Sequence, residues 1–504
     1  MAPEGPSKRV LFLTNVGNRD VSLDGQPVGN QKRVRTESQK LLEGWERLEE
    51  EGRKDDLEAL AERMALPILQ PALQWVLEEH GRVDELVLYA TDQAEGTEFH
   101  LREQDTLHLA ELMKRWLNRQ RWKSEGKLGR VQVRVLHGLN PSLYDQAFAR
   151  YEKEMRPSWR EEFDLCVVVP AGGTPACNMA LLFRAIQTFG RRAQTVYVPR
   201  DGPPLSLRIA QELHQSLQNH ALRAALSRCD FAAARALMEE NGYDEAWLHL
   251  VRYAEHRFAF DFEAARKALQ RAHDTCSGRD LEVLPALVDR HQRQLVLLES
   301  GNVQARTEEL YHNACWTYRQ GRYVDFLGRA FRFQENAARW AVEQACGVEA
   351  DEGDEKKRQA FKAWIDQHPY LRPYMEKQTL YGKPLRWDTI NAAVLLAVVA
   401  YVAEGGQREE GSPYLSAEEQ ERYRRLHAGL SALDHLRDLR NKSIIAHGFQ
   451  GISEEALLEA YRKNTGRSDT PLDLMGEVLR DLTGREAPPA PYEEVRDWLV
   501  KRLT

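Results

Sequence analysis

A disulfide framework, a zinc knuckle and a membrane span are all missing from this sequence. Its six cysteines, Cys166, Cys177, Cys229, Cys276, Cys315 and Cys346, are scattered, with no Cys-x-x-Cys pair. That spacing speaks against a metal knuckle and suits a reducing cytoplasm. The most apolar run, Ile390 to Ala403, contains Asn391 and falls short of the roughly 20 residues that a bilayer-spanning helix needs. A buried helix, or one packed at a subunit interface, fits it better. Met1 to Lys8 is polar and leads into a strand, so no signal peptide is expected and the chain reads as soluble and cytoplasmic. Excess positive charge is absent too. With a formal net charge of −7 there is no global field to gather nucleic acid, and any RNA site has to be local. Neither a Gly-x-Gly-x-x-Gly fingerprint nor a Walker A lysine occurs, which counts against a Rossmann-type oxidoreductase or transferase.

What is present is an ordinary balance of 42% hydrophobic and 29% charged residues over 504 positions, enough for two or three domains with cores of their own. Short apolar runs alternate with helical stretches in the N-terminal part: Arg9 to Thr14, Glu85 to Thr91, Val131 to Leu136, Phe163 to Val169 and Thr195 to Val198. The alternation predicts a parallel sheet wrapped by helices, a Rossmann-like α/β domain over 1–203. Ligands bind such a sheet outside the carboxyl ends of its strands. Three polar or glycine-containing loops are expected there: Thr14, Asn15, Gly17 and Arg19; Thr91, Asp92 and Gln93; and Gly172, Gly173, Thr174 and Pro175. Glycines let backbone approach closely, and a helix beginning near Thr174 would point N–H groups at an anion. The same loop also reads as a tight turn capping a helix. Arg19 and Arg200 are the nearest cations.

After Pro203-Pro204 strand patterns stop. Amphipathic helices run to about Glu299, and those beginning at Phe231 and Phe262 resemble each other in the manner of helical-hairpin units. We read 204–300 as a helical connector and 301–504 as a second, all-α domain.

A helical pattern from about Glu418 to Ala446 ends in Arg440-Asn441-Lys442-Ser443-Ile444-Ile445-Ala446-His447, with Gly448 as a natural stop. At about 3.6 residues per turn, Arg440 and His447 are close to two turns apart and expected on one face, with Asn441 beside them. A guanidinium can hold phosphate oxygens and an imidazole can move protons near neutral pH, with no metal. The set reads as a metal-independent ribonuclease centre. Similar spacings at Arg102/His108, Arg130/His137, Arg208/His214 and Arg266/His273 mean that spacing alone does not select it. A solvated, cationic helix end is the plainer reading of the same residues.

Three motifs in this order resemble the CRISPR-associated ribonucleases of type III systems, which pair a CARF sensor domain with a HEPN nuclease domain. Val10-Leu-Phe-Leu-Thr with its Asn15-Val-Gly loop resembles the first CARF motif, and Ala171-Gly-Gly-Thr-Pro175 the second. Arg440-Asn441 through His447 resembles the HEPN signature, and Asn313 to Glu335 is similar to the helical pair that precedes its catalytic helix. The resemblance implies a homodimer whose CARF pocket binds cyclic oligoadenylate, cyclic tetra-adenylate being favoured over cyclic hexa-adenylate. It implies single-stranded RNA as substrate, cut by attack of a 2′-hydroxyl on its own phosphate to leave a 2′,3′-cyclic phosphate, with DNA spared and neither metal nor cofactor required. His447 would transfer protons, Arg440 would stabilise charge on the phosphate, and Asn441 would orient the phosphate or His447. Thr14 and Asn15 could also position a 2′-hydroxyl of the activator and so degrade it. A non-catalytic nucleotide-sensing regulator, a Rossmann-type nucleotide-dependent enzyme and an adaptor built on the connector are the competing readings.

Overall fold

A computed structural model describes residues 8–199, 202–380, 382–445 and 448–503; Arg200 and His447 lie outside the described residues. Contacts divide the chain into two units, Met1–His220 and Ala221–Thr504.

In the first unit β1, Val10–Asn15, is buried at every position. Its side chains alternate between two cores, as a pleat requires. Val10 and Phe12 join Trp45, Leu73, Met113 and Trp116 on one face, and Leu11 and Leu13 join Tyr89, Tyr151, Trp159 and Phe163 on the other. A strand buried on both faces reads as a continuous apolar run, so it is visible in sequence. Two short strands follow, β2 (Ser22–Leu23) and β3 (Gln26–Pro27), and both form a small antiparallel sheet with β4 (Met64–Ala65). Asp24 and Gly25 both have positive φ in the hairpin turn, where a two-residue connection of this hand favours Asp-Gly.

The large sheet continues with β5 (Val83–Asp92), β6 (Leu128–His137), β7 (Leu165–Val169) and β8 (Ala193–Tyr197). Its order is β6-β5-β1-β7-β8, all parallel, so Leu13 lies between Val87 and Val168. The chain therefore leaves β1 on one side for β5 and returns on the other for β7. This is the switch point of a Rossmann-like sheet. A sixth strand corrects the expectation that strands end at Pro203-Pro204: β9, Leu205–Leu207, pairs antiparallel with β8. It is short, largely exposed and at the sheet edge, so it carries no apolar run to announce it.

The second unit is nearly all helix, with a small hairpin at Thr379–Leu380 and Lys383–Pro384. Helices Phe231–Asn241 and Phe262–Asp274 begin alike: a residue with positive φ (Cys229, Phe260), then an Asp whose side chain caps the helix, then Phe. That shared start is the physical content of their resemblance in sequence. The apolar run forms helix Ala392–Ala403, and Asn391, which interrupts that run, is its N-cap, accepting from the N–H groups of Ala393 and Val394. It packs with Tyr323–Cys346, Ala417–Asp434 and Pro471–Thr483 around Phe326, Phe333, Val398, Leu430 and Val478. No described helix is long and apolar enough to cross a membrane.

The helix expected from Glu418 to Ala446 is instead two. Ala417–Asp434, opened by a Ser416/Glu419 capping box, gives way at His435 and Leu436 to a short second helix, Arg437–Lys442. Leu436 is wholly buried and its N–H reaches back only to Leu433 O, a tightened turn that no glycine or proline marks. The second helix stops at Ser443, whose backbone is extended and whose hydroxyl donates to Arg440 O at 2.7 Å.

Candidate functional site

The parallel strands bring the ends of β1, β5 and β7 to one edge of the sheet, and the loops after β1 and β7 interlock. Gly17 comes so close to Gly173 that a Cβ on Gly17 would lie 2.5 Å from Gly173 N, and a Cβ on Gly172 would collide with Asn15 O and Asp20 Oδ2. Glycine is needed at 17 and 172 because two backbones cross there, and at 173 because φ is +74°. Thr174 caps helix Pro175–Phe189, its hydroxyl accepting from Cys177 N at 3.3 Å and donating to Pro141 O. The loop is therefore a capped turn, and the helix it opens starts at the sheet edge.

Thr14 and Asn15 are buried. The Thr14 hydroxyl donates to Val169 O at 3.0 Å, tying β1 to β7. Asn15 donates to Asn178 Oδ1 at 2.8 Å and accepts from the Tyr151 hydroxyl. Arg19 is exposed on the same loop. After β5 a separate network forms: Arg35 bridges Asp92 at 2.7 Å and Asp105 at 2.9 Å, and His137 reaches Asp92 at 2.8 Å. Burial opposes the Asp92 charge, yet hydrogen bonds from Arg35 and His137 outweigh it and hold this carboxyl below the usual range. Asp105 also accepts from Gln93 N at 2.9 Å, and Thr91 N donates to the Thr106 hydroxyl at 3.1 Å. Among the sequence-derived residues, the first and third loops thus share one cradle, and the second is braced beside it by Arg35.

Asp20 carried no signal in sequence beyond its place in a polar loop. It is 3% exposed, accepts from Gly17 N at 2.8 Å, and its Oδ1 has no partner among the described residues. Burial raises its pKa to about 7 against the opposing pull of the Gly17 N–H. Because the folded pKa lies above the unfolded value, this group favours the fold fully at low pH. The advantage is lost as pH rises from about 4 to about 7, by up to about 4 kcal/mol. Calorimetry of the full chain at pH 5 and pH 8 should show a lower first transition at pH 8, and Asp20→Asn should shrink that gap. An undiminished gap in the variant would assign the pH dependence elsewhere.

In the second unit Arg440 is half-buried and held on two sides. Its guanidinium lies over Phe331, 4.5 Å from the ring centroid, and its Nε and Nη2 donate to Asn441 Oδ1 at 3.2 and 2.9 Å. A planar fork fixed in this way is oriented for phosphate oxygens before any ligand arrives. Arg437 and Lys442 add positive charge nearby, Arg437 being paired with Asp434. Beyond Lys442 the chain closes a tight loop: Gly448 N donates to Ser443 O at 3.2 Å and Gln450 N to Lys442 O at 3.0 Å. A Cβ on Gly448 would collide with Lys442 O. Gly448 is therefore the residue that lets the chain return past Lys442, not the stop of a helix running to Ala446. Of the other Arg/His pairs, His137 is held by Asp92, Arg266 forms a surface ion pair with Glu299, and the exposed His273 ring lies 3.4 Å from Asp274. Among the described residues no His/Cys/Asp/Glu group is arranged to hold a metal ion.

No family model and no curated protein matches the sequence. Among solved structures, the chain is similar to Enterococcus italicus Csm6 bound to cyclic hexa-2′-fluoro-hexa-dAMP, with a TM-score of 0.56 and 10% identity over 99% of this chain and 100% of that one. The likeness is one of fold. At that level it bears out both the α/β-plus-all-α reading and the resemblance to the CARF–HEPN proteins of CRISPR systems.

Proposed function

We propose that this chain is a metal-independent endoribonuclease switched on by cyclic oligoadenylate. The observation that carries the reading is Arg440 clamped between Phe331 and Asn441, with Gly448, the residue after His447 in sequence, bonded back to Ser443. In this reading 1–203 is the sensor, 204–300 the connector and 301–504 the nuclease, and the protein works in the cytoplasm. The RNA 2′-oxygen attacks the adjacent phosphorus, the P–O2′ bond forms as the P–O5′ bond breaks, and the products are a 2′,3′-cyclic phosphate and a 5′-hydroxyl. His447 takes the 2′-hydroxyl proton or delivers one to the departing 5′-oxygen. Arg440 offsets the charge that grows on the non-bridging oxygens, and Asn441 keeps the guanidinium in plane. DNA lacks the nucleophile and survives.

One Arg and one His are a sparse set, and a two-fold axis through the nuclease end doubles it in a single cleft. Ile444, Ile445 and Phe449 support that arrangement: they are 66%, 41% and 93% exposed around the Gly448 loop, an apolar surface suited to a second copy. At the sensor end, support comes from the cradle of Gly17, Gly172 and Gly173 at the helix that Thr174 caps, with Pro175 as its first residue and Arg19 at the rim. Thr14 and Asn15 lie buried beneath it, and Thr91, Asp92 and Gln93 belong to the network beside it. The similar Csm6 is bound to a ring of six modified adenylates. Cyclic tetra-adenylate, favoured on the sequence resemblance, and cyclic hexa-adenylate are therefore the two activators to offer. Either switches the nuclease only by binding its active arrangement more tightly than its resting one.

The deciding experiment is cleavage of labelled single-stranded RNA by the purified protein in EDTA, with each ring and with none, beside a DNA strand of equal sequence. Ring-stimulated RNA cleavage, lost in His447→Ala, is the expected result. Tight ring binding without cleavage would leave a nucleotide-sensing regulator. Cleavage that survives His447→Ala would move the centre to another Arg/His pair.

A further inference from the structure

A cavity of about 990 Å³ opens in the second unit between the helices Phe231–Asn241, Glu245–Phe258, Val303–Arg319 and Tyr323–Cys346. It is separate from the proposed nuclease centre. Arg329, which lines it, and Phe331, which carries Arg440, stand two positions apart and so project from nearly opposite faces of one helix. Phe231, Phe258 and Trp316 supply its apolar lining. Arg228, Arg319, Arg322 and Arg329 are its cations, against the carboxylates of Asp230 and Glu255.

Those two carboxylates are already engaged. Asp230 caps its helix through Ala233 N at 3.1 Å, and Glu255 is bonded to Arg235 at 2.7 Å. Arg319 and Arg322 are exposed and pair with Glu493 and Asp325, surface pairs that an incoming anion exchanges at little cost. Arg329 differs from both. It is half-buried over Phe258 and Phe260, and its acceptors among the described residues are neutral, Asn313 Oδ1 and Asp325 O. A guanidinium set among aromatic rings without a carboxylate of its own is a place for an anion from outside. Trp316 is 5% exposed and its Nε1–H has no acceptor among the described residues, while Arg319 and Arg496 stand over its ring at 5.1 and 5.5 Å. Here, then, are a donor without an acceptor and a cation without a carboxylate among the described residues, beside aromatic surface, in a cavity large enough for a nucleotide.

We propose that this cavity is a nucleotide-binding site, the phosphate held by Arg329 and Arg322 and the base lying against Phe258 and Trp316. Free mononucleotide and the phosphorylated end of an RNA strand share this chemistry.

Calorimetry of the full chain with AMP, adenosine and inorganic phosphate tests the site without reading cleavage. AMP should bind at least about tenfold more tightly than either fragment, since phosphate and base each contribute. Arg322→Ala and Arg329→Gln should each weaken AMP by about tenfold, whereas Arg440→Ala leaves it unchanged. Arg322 is exposed, so its variant keeps the test valid should Arg329→Gln fail to fold. Absence of AMP binding, or binding indifferent to both cavity variants, overturns the proposal. A 2′-fluoro oligonucleotide, which cannot be cut, separates the sources. If a 5′-phosphorylated strand displaces AMP where a 5′-hydroxyl strand does not, the site takes an RNA end; if neither displaces it, the site takes free nucleotide.

Discussion

Arg440→Lys should reduce activator-stimulated RNA cleavage by about 10²-fold and Arg440→Ala by about 10³-fold, with activator affinity unchanged in both. The lysine variant is the more informative. It keeps the positive charge, so a purely electrostatic role would leave most of the rate. The native guanidinium, however, is oriented by two contacts that depend on its plane: the face of Phe331 and the paired Nε and Nη2 donors to Asn441 Oδ1. An ammonium can occupy the same space with neither contact, and its three donors do not match two phosphate oxygens in a fixed fork. Single-turnover rates at saturating RNA and activator measure the effect. A lysine variant within about twofold of the native rate would mean that charge suffices and that the clamp has another purpose.

Gly172→Ala should weaken cyclic oligoadenylate by about 100-fold or more and abolish stimulation by it, while the Arg440 centre stays intact. The added methyl has nowhere to go. It meets the Asn15 carbonyl and the Asp20 carboxylate, and both belong to the strand and loop that share the cradle. The loops must part by an ångström or so, a displacement that commonly costs about 10²-fold where a ligand is held by backbone. Binding of labelled ring to the full chain reads the effect, with circular dichroism as the check on folding. Gly173→Ala, at φ +74° but exposed, gives a second and milder probe of the same loop. Unchanged affinity in both variants would place the activator away from the β1/β7 edge.

Where the sequence was easy to read, one residue type faced one environment over a whole element. β1 and β7 are buried on both faces, so each is an unbroken apolar run, and the glycine loops after them follow from the parallel order. β9 was hidden because three largely exposed edge residues have no such pattern. The break at His435 and Leu436 was hidden because it comes from burying Leu436, and nothing in the local sequence opposes a continuous helix. Asp20, Arg35 and Tyr151 were beyond reach for a different reason. Each matters through partners that the fold supplies: the crossing glycines for Asp20, Asp92 and Asp105 for Arg35, and Asn15 for Tyr151. The cavity beside Trp316 needs four helices to exist at all.

The position of β1 bears on how the protein is made. Within this sheet the central strand is made before its neighbours, and β7 is complete only at Val169. Until then an apolar strand end lacks one partner, and the Thr14 hydroxyl and the Gly172 crossing have nothing to meet. A nascent chain ending before that point lacks the crossing of the two loops, and it exposes a sheet edge prone to pairing with other chains. Contacts so distant in sequence also make the unit a slow folder for its size.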